Sequence, residues 1–310
     1  MRSSGGLLRR LLPKSEFARG VVTLMTGTGL AQALPLALSP VLTRLYTPEE
    51  FGVFALYTSI CAILMVLVTG KYELAIIVPK HDGEAINLVA VTAGLSILTS
   101  LALLGLLLAF DERIVSLLNN ADIGPWLYVI PLATLIVGCY HTLNFWANRR
   151  TRYKDMAISR IIQSGASGTV QLAGGLFKMG LSGLVLGQMS GQLLSTVILA
   201  NSLTADERRL LRRISLKRMR LVARKHIGYP KYITPGQFMS VGAAELPLLL
   251  LSVLFGPAVA GVYSLAQRVM AAQLSRVANA VGDVYRQNAA QHFAINGECR
   301  EIFSGAMKRL

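Results

Sequence analysis

The chain contains little charge for its length, and this scarcity argues against a soluble protein. Only 15% of its 310 residues are charged, whereas a soluble domain carries about a quarter. Residues 21–42 and residues 51–70 contain no charged side chain at all. Runs of this kind are suited to lipid rather than to water.

Cysteines, metal ligands and nucleotide-binding motifs are also scarce. Cys61, Cys139 and Cys299 are too far apart to indicate a disulfide framework or a metal knuckle, and four scattered histidines add no metal signature. The sequence has no Walker glycine loop, no nucleophile elbow and no paired metal ligands. We therefore expect no ATP-driven step, no cofactor, no metal and no enzymatic activity in this chain.

Long apolar runs are the most prominent feature that the sequence does contain. Residues 43–52 form a short polar turn between the two uncharged runs, each of which is long enough for an α-helix to cross about 30 Å of hydrocarbon. Hydrophobic residues make up 53% of the chain, and the mean hydropathy is +0.51. These features predict an all-α integral membrane protein.

About eight transmembrane helices are predicted. The fifth is the least apolar, since it contains Arg160, two glutamines and many small residues. We therefore expect it to pack closely against other helices rather than to face lipid. The predicted spans cover about residues 20–42, 51–70, 85–109, 124–146, 156–177, 179–200, 232–254 and 257–280.

The distribution of lysine and arginine predicts the orientation. With a cytoplasmic N-terminus, 25 of the 31 lysines and arginines lie in cytoplasmic segments and three lie in outside loops. This asymmetry follows the positive-inside rule. The net charge of +15 is therefore interpreted as a topology signal and not as a nucleic-acid-binding surface.

The longest polar segment, 201–231, contains ten of these cations and a helical pattern. One interpretation is an interfacial helix on anionic lipid headgroups. The other is a solvated basic loop that fixes the topology, and both interpretations can hold together. The predicted apolar stripe consists of Leu210, Leu211, Ile214, Leu221 and Val222.

The predicted eighth span carries cations at membrane depth. Arg268 and Arg276 share one helical face with Asp283, and apolar residues occupy the opposite face. Ionisable groups inside a bilayer usually face a cavity or a partner. We interpret this face as the lining of a substrate-binding cationic cavity, to which Arg160 is also assigned, with Asp283 at a gate or ion-coupling site. A buried ion pair, or a helix lying flat on the membrane, is the alternative.

Other ionisable groups are candidates for the same gate or ion-coupling site. Glu245 in the seventh span lies within reach of Arg268, although a purely structural link explains this pair equally well. Lys71 and Glu73 lie where the second span ends, and anchoring at the interface is the simpler interpretation. His141, late in the fourth span, is a proton carrier or a hydrogen-bonded helix contact.

Three short sequences point to a known family. Residues 45–52 read LYTPEEFG, residues 72–80 read YELAIIVPK, and residues 261–266 read GVYSLA after an apolar run at 238–254. In this order they resemble the motifs of the polysaccharide biosynthesis flippase family, which includes the O-antigen (Wzx-type) translocases. The resemblance covers nearly the whole chain.

This resemblance implies a protein of the bacterial inner membrane, in the multidrug/oligosaccharidyl-lipid/polysaccharide exporter superfamily. Two six-helix lobes around a central cavity and transport by alternating access are implied with it. The implied cargo is an undecaprenyl-diphosphate-linked oligosaccharide, which moves from the inner to the outer leaflet during synthesis of O-antigen or exopolysaccharide. Cavity arginines suit its diphosphate. Membrane lipids, a polysaccharide polymerase and glycosyltransferases are the other implied partners, and nucleic acid is not one.

The resemblance also implies a domain organisation. A complete six-helix N-terminal lobe is expected over 1–200, a basic cytoplasmic linker over 201–231, and the first two helices of an incomplete second lobe over 232–310. Members of the family usually have twelve or more spans, so we expect a C-terminally truncated form.

Three other functions stay open. A cation-coupled exporter of the same superfamily predicts acidic residues at mid-depth in the first lobe, where the sequence has none. A membrane scaffold for polysaccharide assembly agrees with the basic linker. A membrane glycosyltransferase needs donor-site carboxylates, for which Asp111, Glu112 and Asp122 are a modest cluster.

Overall fold

The computed structural model describes residues 16–118, 121–267 and 270, and these are almost entirely helical, with no β-strand among them. Contacts divide the chain into two compact units, Met1–Ser264 and Leu265–Leu310, and the helices below lie almost entirely in the first. A tenth helix, α10, begins at residue 257. The other α-helices of six residues or more are α1 Glu16–Leu45, α2 Pro48–Val68, α3 Asp82–Leu118, α4 Ile130–Arg149, α5 Tyr153–Leu176, α6 Leu181–Asn201, α7 Ala205–Leu210, α8 Leu216–Lys225 and α9 Thr234–Phe255.

Six described helical segments are long and apolar enough to cross a membrane, so the chain is a multi-pass, all-α membrane protein. Each coincides with a predicted span. Helix α5 is also long, with 24 residues, but it is too polar to be counted with them, and α10 is described only as far as residue 267. The number of eight spans and the two-lobe arrangement stay predictions. The six segments are Val22–Leu45, Pro48–Val68, Asp82–Leu117, Gly124–Arg149, Leu181–Asn201 and Tyr229–Phe255.

The turn between α1 and α2 is fixed by a capping box. The Thr47 hydroxyl accepts a hydrogen bond from the Glu50 backbone N–H at 3.3 Å, and the Glu50 carboxylate accepts one from the Thr47 N–H at 2.9 Å. Pro48 occupies the first helical turn, where its missing N–H costs nothing. These residues end one span and begin the next, as the predicted hairpin requires.

Glycines allow α5 and α6 to approach each other closely. A Cβ atom on Gly174 would lie 2.6 Å from the Gly183 Cα, and one on Gly191 would lie 2.4 Å from the Gln163 carbonyl oxygen. Neither distance can accommodate a side chain. The expectation that the fifth predicted span packs closely through small residues is confirmed.

A second close approach joins α2 to α10. A Cβ atom on Gly52 would lie 1.7 Å from the Pro257 carbonyl oxygen, and one on Gly261 would lie 2.0 Å from the Pro48 carbonyl oxygen. Each glycine therefore faces the backbone of the other helix. Helix α9 is tied to α2 as well, because the Ser59 hydroxyl donates a 2.6 Å hydrogen bond to Glu245.

Helix α3 is unusually long. Its 37 residues span about 55 Å at 1.5 Å per residue, which exceeds the 30 Å or so of a bilayer's hydrocarbon core. Phe110 interrupts it with non-helical dihedral angles, φ −135° and ψ 18°. The residues after Phe110 therefore start a new direction rather than continuing the span.

Candidate functional site

A chain reversal after α2 turns the following residues back into the helical bundle. Gly70 and Lys71 have positive φ values of 55° and 58°, a conformation that is uncommon for lysine. The next residues form a 3₁₀ helix, Tyr72–Ile77, which packs against α3 and α4. Glu73 is only 3% exposed and Tyr72 only 6%. Both side chains are therefore enclosed by protein, and anchoring at the membrane interface stays one interpretation of this segment.

This reversal contributes to an ionisable cluster, which we define as Lys71, Glu73, His141 and Arg160. Glu73 is buried, and the other three side chains are half-buried. The Lys71 ammonium lies 3.8 Å from one Glu73 carboxylate oxygen. His141 on α4 lies within electrostatic range of the other three charged groups. Arg160 on α5 donates a 2.7 Å hydrogen bond to the Thr28 hydroxyl of α1. The structure thus brings together four site residues that are up to 89 positions apart in sequence.

The second Glu73 oxygen, Oε2, is the least satisfied atom of the cluster. It is buried and has no hydrogen-bond partner among the described residues. A buried polar atom without a partner is costly, so an added hydrogen-bond donor would stabilise the cluster most at this oxygen.

A separate cavity of about 220 Å³ lies between α2, α4 and α6. Gln192 is 7% exposed, and its carboxamide oxygen accepts a hydrogen bond from the Gln163 side chain of α5. The Gln192 Nε2 atom has no partner within the described part of the chain. The polar side chains that line this cavity are Tyr57, Thr58, Thr134, Gln188 and Gln192.

The predicted partners in the eighth span lie outside the described residues. They are Arg268, Arg276 and Asp283. Glu245, which was expected to pair with Arg268, is half-buried and accepts the hydrogen bond from Ser59. The roles predicted for these four side chains stay predictions.

Comparison with known proteins supplies the deciding observation. The family described as "Polysaccharide biosynthesis protein" matches residues 41–292, which is more than half of the chain. The chain belongs to the polysaccharide biosynthesis protein family. No curated protein and no solved structure shows significant similarity to it. The resemblance found in the short sequences is thereby confirmed at the level of the family.

Basic and acidic residues of this polysaccharide biosynthesis protein form an ion-pair network. We define this network as Asp82, Arg149, Arg150, Arg152 and Glu207. Asp82 at the start of α3 pairs with Arg149 and with Arg150, each at 3.0 Å. Glu207 on α7 pairs with Arg150 at 3.1 Å and closely with Arg152. The network ties three segments together, so these arginines are engaged within the protein as well as marking topology.

Glu207 is the acidic centre of that network. Burial alone raises the pKa of its carboxyl group, but hydrogen bonds from Thr204 and the positive charge of Arg152 outweigh burial, so the net pKa is lowered. Its carboxylate also completes a capping box with Thr204 at the start of α7. Glu207 therefore holds both the local helix and its attachment to the spans.

The predicted helix in the linker is broken. Helix α7 ends in a 3₁₀ turn, Leu211–Arg213, and α8 follows after Ser215. Leu210, Ile214 and Val222 pack inward, in a core cluster that includes Trp146. Two members of the predicted apolar stripe, Leu211 (44% exposed) and Leu221 (68% exposed), do not pack inward, because the break changes the helical register.

Sequence reasoning missed the cavity and its glutamines. Gln188 and Gln192 are four residues apart in an otherwise apolar span, so they share one helical face. Polar side chains at that spacing within a span were a usable signal. No residue pattern in the sequence indicates that α2 and α4 close the other two sides of the cavity.

Proposed function

We propose that this polysaccharide biosynthesis protein takes part in moving an undecaprenyl-diphosphate-linked oligosaccharide from the inner to the outer leaflet of the bacterial inner membrane by alternating access. The observation that carries the proposal is the ionisable cluster packed among apolar helices. Ionisable side chains enclosed by membrane-spanning helices are costly and are usually functional. A membrane-embedded member of this family handles an intermediate of polysaccharide synthesis, and an intermediate that is present in the membrane is attached to lipid.

The chemistry of the cargo assigns the roles. A diphosphate is held by cationic hydrogen-bond donors, so Arg160 contributes to substrate binding together with Arg268 and Arg276. Glu73, Lys71 and His141 form the gate or the ion-coupling site, with Glu245 and Asp283 as further members. In this scheme the N-terminus is cytoplasmic, and the protein works beside a polymerase and glycosyltransferases without catalysing a reaction itself.

The direct test is the leaflet in which the lipid-linked glycan accumulates. Cells that lack the gene are complemented with the unaltered chain or with Arg160→Gln, and the glycan is labelled by an enzyme confined to the periplasm. We expect Arg160→Gln to reduce labelling at least tenfold, because one charge-assisted hydrogen bond of about 1.5–3 kcal/mol is lost. Lys154→Gln, which removes an exposed charge from the same helix, is the matched control and should label normally.

Two outcomes would reject the proposal. One is normal periplasmic labelling in cells without the gene when no other flippase is present. The other is normal labelling by Arg160→Gln, Arg268→Gln and Arg276→Gln together, since a scaffold needs none of these arginines.

A cation-coupled exporter is the second candidate, and Glu73 favours it. The sequence places no acidic residue at mid-depth in the first lobe, and Glu73 is a buried carboxylate that packs against α3 and α4. Such an exporter should lose drug or small-molecule efflux in the Glu73→Gln variant while periplasmic labelling of the glycan is unchanged. The opposite pattern favours glycan translocation.

A further inference from the structure

We infer that the outward face of α8 binds anionic phospholipid headgroups at the surface of the membrane that the protein spans. We define this α8 outer face as Lys217, Arg220 and Arg224 together with Leu216 and Leu221. The inference does not depend on glycan translocation. It assigns to one helical face what the sequence attributed in general terms to a segment of 31 residues, 201–231.

The inward face of α8 is fixed against the membrane-spanning helices. Val222 is 5% exposed and packs in the core cluster with Trp146. The Tyr72 hydroxyl donates a 3.0 Å hydrogen bond to the Ala223 carbonyl, and the Lys225 ammonium lies 2.6 Å from Glu84 at the start of α3. These contacts come from three different segments of the chain, and they define which face of α8 points away from the protein.

The outward face combines cations with exposed leucines. At 100° per residue, Lys217, Arg220 and Arg224 lie on the side opposite Val222. All three are exposed, and Leu216 and Leu221 at the edges of the face are 83% and 68% exposed. A cationic stripe flanked by large apolar side chains is typical of helices that lie in the membrane interface.

The position of α8 along the chain brings this face to headgroup level. An apolar span begins at Tyr229, four residues after Lys225, so the end of α8 lies within about 14 Å of that span even if the connection is extended. Trp146, which contacts the inward side, belongs to the last turn of the α4 span. Each lysine or arginine near an anionic leaflet favours contact by roughly fivefold.

The test uses the full chain in lipid nanodiscs, with a fluorophore on Leu221→Cys after Cys61, Cys139 and Cys299 are replaced by alanine. Quenching by lipids brominated near the headgroup reports contact. We expect strong quenching in discs that contain phosphatidylglycerol, and weak quenching in discs of phosphatidylcholine alone. High salt should reduce the difference, because it screens exposed charges.

The matched variants separate this face from a general charge effect. Lys217→Gln, Arg220→Gln and Arg224→Gln together should reduce quenching in anionic discs to the level seen in neutral discs. The control variant removes the same charge from exposed positions earlier in the linker and should retain most of the quenching. It combines Arg208→Gln, Arg209→Gln and Arg212→Gln. Equal quenching in both lipids, or equal loss in both triple variants, would overturn the inference. So would a label shielded only when a soluble protein fraction is added.

Discussion

Helices α5 and α6 pack closely where glycines leave side chains out, whereas the ends of α3, α4 and α7 are joined by charged side chains. At the first interface a methyl group has no room, because Gly174 and Gly191 face neighbouring backbone at 2.6 Å and 2.4 Å. At the second, Asp82 and Glu207 each bind two arginines. One chain therefore contains one region stabilised by close packing and another stabilised by ion pairs.

The difference reflects the solvent around each region. Lipid offers no hydrophobic drive for helices to associate, so close van der Waals contact must hold α5 to α6. At the helix ends water is near, and ion pairs with several hydrogen bonds can offset the cost of partial burial. The first interface should therefore be sensitive to volume and the second to charge.

The largest effect should come from adding volume between α5 and α6. We expect Gly191→Ala to lower the free energy of unfolding by roughly 3 kcal/mol, because the Gln163 backbone must move. Gly165→Ala on α5 is the control, since no atom lies within 4 Å of its added Cβ, and it should raise stability by up to about 1 kcal/mol. Thermal unfolding in detergent measures both. Similar midpoints for the two variants would refute the role given to volume.

Removing charge from the ion-pair network should lower the free energy of unfolding by a smaller amount. Glu207→Ala leaves Arg150 and Arg152 without their shared partner, and we expect a loss of about 2 kcal/mol. This is below the 3–5 kcal/mol or so of a fully buried pair, because the Arg150 side chain is 31% exposed. Proteolysis of the linker, followed over time, should accelerate with the loss of stability. Asp206→Ala, an exposed neighbour, should leave the rate unchanged.

A smaller effect is expected at the cap of α2. Thr47→Ala removes the hydroxyl that accepts the Glu50 N–H and should lower stability by about 1 kcal/mol. Thr43→Ala, at an exposed position near the end of α1, is the comparison and should change the unfolding midpoint little. Equal shifts for the two variants would mean that the capping box does not determine where α2 begins.

The smallest effect is the pH dependence of the network. The pKa of Glu207 in the folded chain is below its ordinary value of 4.5, so its contribution is fully present above that pH. The contribution is lost as the pH falls through the lowered pKa, because the carboxylate gains a proton. Linker proteolysis followed over that range should therefore accelerate on acidification in the unaltered chain. Glu207→Gln should remove most of this acceleration, and an unchanged profile would count against the assignment.

Much of the fold was predictable because membrane helices are encoded by long apolar runs. Helices α1 to α4, α6 and α9 coincide with predicted spans, and small residues in α5 correctly indicated close packing. The burial of Glu73 was not predictable, because it depends on the chain reversal at Gly70 and Lys71. The positive φ angles of these two residues leave no trace in the hydropathy pattern. The cavity beside Gln192 also required three helices to meet. The residue pattern along one helix does not show which cavity that helix forms with its neighbours.

The break in α3 at Phe110 has a practical consequence. A helix that crosses the bilayer places its two ends on opposite sides, so residues 111–118 lie on the side opposite Asp82 and the ion-pair network. Leu117 among them is 76% exposed, and none of them belongs to the ionisable cluster. A short epitope inserted after Leu117 would thus report the sidedness of the whole molecule in intact cells while leaving its interior untouched.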